Sequence, residues 1–419
     1  MPQLVFDSEQ RFTCAGCARC CHSDVAVTPG ERASYERAGA ARWFREIDGL
    51  PEGATRDPFM PLSEPGGWFR IRRRDDGTCG FLSPQNRCRL HEEMGGERKP
   101  LVCRLFPFHV RATPRERIVA ASFSCPTIVA NEGEPASSRQ DTLRALAGKW
   151  SHEVGRLDAP ADLAPARRLT DAALDTLRAV LQQLIDRPDA DGRVSLGDNL
   201  RRVGLWLHDL SRPRVVRLPP DDFAEYVKVT GRHAIQSPTL AAPRAGRLSR
   251  VFRRGLLVLM VTAEAQHRHP HRSGLRLGLR WKLFRAMLHA HGLGPALPEL
   301  DMGAARRLRL DPEAAAPLVR RYLQAAISTL GSSPRPVLDE LAVAAAVLNG
   351  AIALGAGEAQ REGEAAIGLR ALRAGLVRAS DATHTAGPMA AILATFAAGP
   401  DAFLLLADAF TSARGPASA

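Results

Sequence analysis

Eight cysteines, all within the first 125 positions, constrain this 419-residue chain more than any other feature of its sequence. They are Cys14, Cys17, Cys20, Cys21, Cys79, Cys88, Cys103 and Cys125. A reducing cytosol disfavours structural disulfides, so a dense group of thiols there indicates a metal or redox centre. The concentration predicts a small metal-binding domain over residues 1–130 and a second domain over residues 137–419.

The hydrophobic pattern predicts the fold class. In the first domain we expect a helix that starts at a Thr28 capping box and runs to Ile47. We also expect a hairpin turn at Asp76-Gly77 between extended runs at 68–72 and 79–82, and a strand over 117–123. Beyond residue 137 apolar residues recur at helical spacing, and 341–357 suits a buried helix. The prediction is an α+β protein, mainly α: a small cysteine-rich metal-binding N-terminal domain followed by an all-helical domain.

The first three cysteines have the spacing of metal ligands. Cys14, Cys17 and Cys20 follow one another at intervals of three, so a short loop can present three thiolates from one side. Three such thiolates can hold three corners of a 4Fe-4S cluster, and Cys125-Pro126 matches the Cys-Pro that ends many cluster-binding runs. Alternatively, two all-thiolate zinc sites would use all eight sulfurs. The count fits both interpretations.

Cys20 and Cys21 are adjacent, which limits how both can serve one site. Neighbouring side chains in an extended segment point to opposite faces, so one of the two is a candidate for a second centre. The competing interpretation is that Cys21 is a thiol buried in a small core. His22 and His91 are alternative ligands, although a polar surface role is the favoured interpretation for both.

Several enzyme classes are disfavoured by missing motifs. A radical S-adenosylmethionine enzyme needs the motif C-x3-C-x2-C. Cys17 and Cys21 have the first spacing, but Asp24 stands where the motif needs its third cysteine. A P-loop and a strand-associated G-x-G-x-x-G are also absent from the sequence. These absences leave the cysteines as the principal chemical signal.

Four blocks together resemble the CxxCxxCC family, a zinc- or iron-chelating cysteine-cluster domain. The blocks are Cys14-Ala-Gly-Cys17-Ala-Arg-Cys20-Cys21, Cys79-Gly-Phe-Leu, Cys88-Arg-Leu-His91 and Lys99-Pro-Leu-Val-Cys103-Arg-Leu-Phe-Pro-Phe108. They occur in the family's order over about residues 12–126. Ala18 stands where many members have Gly, and Lys99 where many have Arg. A non-Gly residue at position 18 disfavours a positive backbone angle there.

The resemblance and the thiol chemistry together yield two functional hypotheses. The first is a zinc- or iron-chelating protein whose N-terminal domain binds an iron-sulfur cluster, with 4Fe-4S favoured over zinc. Arg104 would offset thiolate charge, and Phe106 and Phe108 would form an apolar wall beside Cys103. The alternative arises because the family includes flagellin lysine-N-methylases, which implies S-adenosylmethionine-dependent methyl transfer to protein lysines. The sequence identifies no base for that reaction, so whether the protein is an enzyme is open at this point.

Charge and composition bear on partners and location. Residues 232–285 carry eleven arginines and Lys282 against the single acid Glu264, which is nearly the whole net charge of +12. A solvated arginine face is the favoured interpretation, because no recognised nucleic-acid motif accompanies this charge; nucleic-acid binding is the weaker hypothesis. We expect a protein partner or protein substrate and no membrane. The N-terminus lacks a basic start followed by an apolar run, so we expect a cytoplasmic protein.

Overall fold

The computed structural model describes residues 3–6, 9–53, 56–62, 67–112, 116–154, 161–164, 167–189, 192–237, 308–333, 335–385 and 401–411. These residues form two compact units, the first extending to residue 154 and the second beginning at residue 161. Helices dominate and strands are few, which confirms the predicted α+β, mainly α class with the cysteine domain at the N-terminus. The proposed domain boundary between 130 and 137 stays a prediction.

The first unit contains two small three-stranded sheets. Its strands are β1 (Gln3–Phe6), β2 (Ala26–Val27), β3 (Phe59–Pro61), β4 (Phe69–Ile71), β5 (Phe108–Ala112) and β6 (Glu116–Ala121). One sheet has the order β1-β6-β5, in which β1 runs parallel to β6 and β5 antiparallel to it. The other has the antiparallel order β2-β4-β3. Strands of two or three residues cannot stabilise a sheet alone, so this unit depends on other links between its elements.

Short helices surround these sheets. They are α1 (Pro29–Ala38), α2 (Ala40–Asp48), α3 (Arg89–Met94), α4 (Leu101–Leu105), α5 (Pro126–Ala130) and α6 (Gln140–Val154). Single-turn 3-10 helices span Arg19–His22, Gly96–Arg98 and Ala136–Arg139. One apolar core gathers side chains from α1, α2, the β2-β4-β3 sheet and the turn around Phe81. This core also includes the side chain of Cys79.

Two local expectations differ from the structure. The capping box at Thr28 forms, since Thr28 Oγ1 accepts from the Glu31 N–H at 3.2 Å and the Glu31 carboxylate accepts from the Thr28 N–H at 3.0 Å. The helix that it starts does not continue to Ile47, because Gly39 takes a left-handed conformation (φ 97°) and divides it into α1 and α2. The extended run expected at 79–82 is instead a tight turn, with the Leu82 N–H donating to the Cys79 carbonyl at 2.9 Å.

Helix α6 lies in the first unit, whereas the sequence predicts that this segment belongs to the helical domain that begins at residue 137. Its buried residues are Leu143, Leu146 and Ala147. The helix packs on α4 and on strands β5 and β6. Helical periodicity identifies an apolar face but does not say which core that face covers.

The second unit is helical. Its helices are α7 (Asp171–Asp186), α8 (Leu196–Leu210), α9 (Pro213–Val216), α10 (Pro220–Gln236), α11 (Pro312–Ser328), α12 (Val337–Arg361), α13 (Leu369–Thr385) and α14 (Asp401–Thr411). Two-residue and three-residue strands form two small ladders, β7 (Asp162–Ala164) with β8 (Arg167–Arg168) and β9 (Arg309–Leu310) with β10 (Ala366–Ile367). Asp311 caps α11 as expected, because its carboxylate accepts from the Glu313 and Ala314 N–H groups, both at 3.1 Å.

Helix α12 is the centre of the second unit. Among the described residues it is the one helix long and apolar enough to cross a membrane, yet 78% of its most apolar window is buried inside the protein. Gly355 and Gly375 allow α12 and α13 to approach closely, since a Cβ at Gly375 would lie 2.1 Å from the Ala351 carbonyl oxygen. The buried helix predicted over 341–357 is confirmed. Residues 238–285 of the arginine-rich block lie outside the described residues.

Candidate metal centre

Six elements of the first unit carry the eight cysteines. Cys14 and Cys17 lie on an exposed irregular loop, and Cys20 and Cys21 on the 3-10 helix that follows it. Cys79 lies in a tight turn, Cys88 caps α3, Cys103 lies within α4, and Cys125 caps α5. All eight cysteines are free thiols. Among the described residues, no three His, Cys, Asp or Glu side chains are arranged as a preformed set of metal ligands.

The Cys14 loop is attached to the segment that follows Cys125. The Phe12 N–H donates to the Glu134 carbonyl at 2.8 Å, and the Glu134 N–H donates to Thr13 Oγ1 at 3.1 Å. Asn131, which ends α5 in a left-handed conformation (φ 58°), accepts from the Arg11 N–H at 2.7 Å. These bonds bring the first cysteines of the chain beside the last one.

The loop itself needs left-handed backbone at two positions. Gly16 has φ 66° and Ala18 has φ 55°. The Ala18 carbonyl accepts from the Cys21 N–H at 2.8 Å, so this conformation starts the turn that carries Cys20 and Cys21. Ala18 thus adopts the positive φ that favours Gly at this position, and it does so at an energetic cost.

Four of the thiols belong to the apolar core of the first unit. Cys79 is 8% exposed and is a member of that core, and Cys21, Cys88 and Cys103 pack against it. We call these four the core cysteines. The Cys79 N–H donates to the Cys21 carbonyl at 2.7 Å, and Cys88 forms an isolated β-bridge with Leu82, three residues beyond Cys79. The turn that joins them is tight, because a Cβ at Gly80 would lie 2.1 Å from the Phe44 ring.

The other four thiols line an open cavity of about 260 Å³. We call Cys14, Cys17, Cys20 and Cys125 the cavity cysteines. By the same measure one water molecule needs roughly 15 Å³, so the cavity holds far more than a single water. Cys103 also reaches this cavity, and together with Cys20 it borders a second one of about 280 Å³ lined by Phe106, Phe108 and Trp150. Cys20 and Cys103 therefore lie at the boundary between the two sets.

The electrostatics of the thiols link the two sets, because the charge of Cys20 helps to raise the pKa of both Cys79 and Cys103. Burial raises the pKa of Cys79 to about 12 against a hydrogen bond from the Phe81 N–H, and burial also raises the pKa of Cys103 against the charge of Lys99. The hydrogen bond with Cys20 and then burial raise the pKa of Cys21, while the same bond lowers the pKa of Cys20 to about 6. Cys21, Cys79 and Cys103, whose pKa values are raised, therefore stay protonated until a cation replaces the protons.

Cys125 has an environment of its own. Burial raises the pKa of Cys125, whereas the nearby N–H groups of Ile128 and Thr127 oppose the rise and the charge of Cys17 adds to it. Pro126 occupies the first position of α5 and has no N–H group. The first N–H groups of this helix therefore belong to Thr127 and Ile128. The geometry therefore pairs Cys125 with the loop cysteines rather than with the core cysteines.

Basic side chains line the cavity beside the thiols. They outnumber the single acid Glu97 and comprise Arg19, Lys99, Arg104 and Arg139. Arg104 lies 3.7 Å from Glu97, whose side chain is 93% exposed, and the Arg139 guanidinium lies 5.7 Å from the centre of the Phe12 ring. Several thiolates around one cation carry net negative charge, which such a wall offsets. The donor set and its surroundings therefore suit a thiolate-bound metal.

Sequence reasoning identified some of these surroundings and missed others. Arg104 lines the cavity, Phe106 borders both cavities and Phe108 borders the second, where a role beside Cys103 was expected. His22 and His91 are exposed, and His91 lies on the cavity wall. Arg139, Thr127 and the anchors Asn131 and Glu134 were not foreseen, because their roles depend on contacts between distant segments.

The comparisons with known proteins agree with this location. Residues 13–126 match the family model CxxCxxCC, described as a putative zinc- or iron-chelating domain. Neither a curated protein nor a solved structure matches the chain. The matched range begins one residue before Cys14 and ends one residue after Cys125, so it encloses all eight thiols and both sets. Residues 13–126, which contain all eight thiols, therefore resemble a CxxCxxCC domain, whose family is described by zinc or iron chelation.

Proposed function

We propose that the CxxCxxCC domain binds an iron-sulfur cluster of the 4Fe-4S type through Cys14, Cys17, Cys20 and Cys125. The observation that carries the proposal is that these four thiols line one open cavity, although about a hundred residues separate Cys20 from Cys125. Three cysteines at intervals of three, with a distant fourth followed by proline, are a ligand set that such clusters use. When bound, the cluster supplies one-electron transfer.

The surrounding residues have roles that the cluster would require. Arg19, Lys99 and Arg104 supply positive charge beside a centre whose thiolates and sulfides are anionic. The N–H groups of Thr127 and Ile128 lie at the start of α5 near the Cys125 sulfur and favour its thiolate form. Exposure of Cys14 and Cys17 leaves the centre open to a redox partner or a small molecule.

The test is purification of the full chain without oxygen, with visible absorption and elemental analysis. Broad brown absorption with iron and sulfide in equal amounts, about four of each per chain, is the expected result. Replacing Cys17 by Ser should remove most of the iron and the colour, whereas Ser137→Ala, at an exposed position that does not line the cavity, should leave both unchanged. A colourless protein that contains zinc alone would overturn the proposal.

Methyl transfer to protein lysines is the alternative implied by the family resemblance. The cavity walls weigh against a lysine acceptor there, because four basic side chains disfavour entry of a cationic ammonium group. Incubation of the loaded protein with labelled S-adenosylmethionine and flagellin tests this activity, and incorporation above that of a Cys17→Ser control would support it. For the helical unit we propose recognition of a protein partner, and for the whole protein a cytoplasmic location, where thiols stay reduced.

A further inference from the structure

We infer that the core cysteines Cys21, Cys79, Cys88 and Cys103 form a second, separate metal centre: a closed four-thiolate zinc site that holds the fold of the domain together. This inference rests on the proposed metal-binding function of the domain, but not on the identity of the metal at the cavity. It gives the adjacent pair Cys20 and Cys21 different roles, one at each centre.

The first argument is burial. Cys79 is a member of the apolar core that contains Phe44, Phe81 and Leu90, and the other three core cysteines pack against it. Of the four, only Cys103 lines either of the two cavities described above. A single zinc ion with four sulfur ligands is compact and needs no open position, whereas catalytic or substrate-binding metals keep one. Four thiols that lie in or against an apolar core therefore favour structural zinc.

The second argument is the kind of element that the four thiols would join. Cys21 lies on a single 3-10 turn, Cys79 in a tight turn, Cys88 at the start of the six-residue α3, and Cys103 in the five-residue α4. The adjacent sheet has strands of two and three residues. Elements this short need a link beyond their own hydrogen bonds, and a metal that binds one ligand from each supplies it.

The third argument concerns the different surroundings of the adjacent residues Cys20 and Cys21. The Cys21 carbonyl accepts from the Cys79 N–H, which attaches this residue to the core turn, while Cys20 lines the cavity shared with Cys14, Cys17 and Cys125. Cys20 and Cys21 are adjacent in the chain, so the two centres would be neighbours. The experiment must therefore distinguish two separate centres from centres that exchange Cys20 and Cys21 as ligands.

The decisive experiment compares Cys20→Ser with Cys21→Ser in the full chain, purified without oxygen. We expect the unsubstituted protein to hold about one zinc beside the iron and sulfide. Cys21→Ser should lose the zinc and keep at least half of the iron and the visible absorption. Cys20→Ser should lose the iron and keep the zinc. Equal loss of both metals in both variants would overturn the inference of separate centres.

A measurement on the unsubstituted protein avoids the question of whether the variants fold. Zinc-edge X-ray absorption should report four sulfur ligands at about 2.3 Å and no nitrogen or oxygen ligand. Zinc absent from a protein that holds iron and sulfide would overturn the core site while leaving the proposed cluster intact. Zinc present without iron or sulfide would overturn the cluster and leave the core site intact, so the two failures are distinguishable.

Discussion

At the scale of single residues, Ala18 has the least favourable backbone in the cysteine loop. Its φ of 55° is one that residues with a Cβ rarely adopt, and its carbonyl starts the turn that carries Cys20 and Cys21. The deviation from the family's glycine was visible in the sequence, but its cost follows only from the observed backbone angle. The cysteine loop can tolerate this strain at Ala18 because metal binding or other contacts hold the loop in place.

We therefore expect Ala18→Gly to stabilise the first unit by about 1 kcal/mol, since a left-handed alanine costs roughly 1–2 kcal/mol and part of the gain is lost to glycine's greater freedom when unfolded. Scanning calorimetry of metal-free protein measures the shift. The matched control is Ala15→Gly in the same loop, where φ is not positive and a small loss is expected. Equal shifts in both variants would show that the left-handed angle carries no strain.

At the scale of elements, Glu31 connects the capping of α1 to the position of α4. One carboxylate oxygen accepts from the Thr28 N–H at 3.0 Å, and the other accepts from the Leu101 N–H at 2.7 Å. Leu101 is the first residue of α4, the helix that carries Cys103. The capping box could be predicted from the T-x-x-E pattern, but the second bond joins residues 70 positions apart and could not.

We expect Glu31→Gln to destabilise the first unit by about 1–2 kcal/mol, because an amide offers one acceptor oxygen where both carboxylate oxygens are used. Calorimetric melting of the metal-free protein is the measurement. Glu36→Gln on the same helix is the control: it removes only the half-exposed pair with Arg32, worth about 0.5 kcal/mol or less. If the two substitutions have the same effect, the link between α1 and α4 does not contribute to stability.

Helix α6 gives a second prediction at this scale. Leu143 and Leu146 are buried in the first unit, and burial of such side chains is worth about 1.5–3 kcal/mol each. A fragment of residues 1–130 should therefore be at least about 3 kcal/mol less stable than one of residues 1–156. Urea unfolding followed by circular dichroism compares them at equal metal content. A 1–130 fragment as stable as the longer one would mean that α6 is dispensable.

At the scale of the whole molecule, the two compact units have different sources of stability. The second unit buries long apolar helices such as α12 and contains none of the eight cysteines. The first unit relies on short strands, brief helices and a core that includes thiols. Metal removal should therefore affect one unit and leave the other nearly unchanged.

We expect the full chain to melt in two calorimetric transitions, and chelation of its metals should lower one by more than roughly 10 °C while moving the other by less than about 2 °C. The sensitive transition should be the one displaced by Cys88→Ser, which identifies it with the first unit. The exposed Val229→Ala in the second unit should move neither transition. A uniform shift of both transitions on chelation would contradict this division.

The mainly helical fold class, the cysteine domain, the eight candidate ligands and the caps at Thr28 and Asp311 could all be predicted from the sequence. These features depend on residue type and short spacing, which a linear chain displays directly. Only the three-dimensional structure shows that α1 ends before Gly39, that α6 belongs to the first unit, and that Cys125 lies beside Cys17 while Cys21 lies beside Cys79. Those outcomes depend on contacts between segments tens of residues apart, and local spacing carries no information about which distant segments meet.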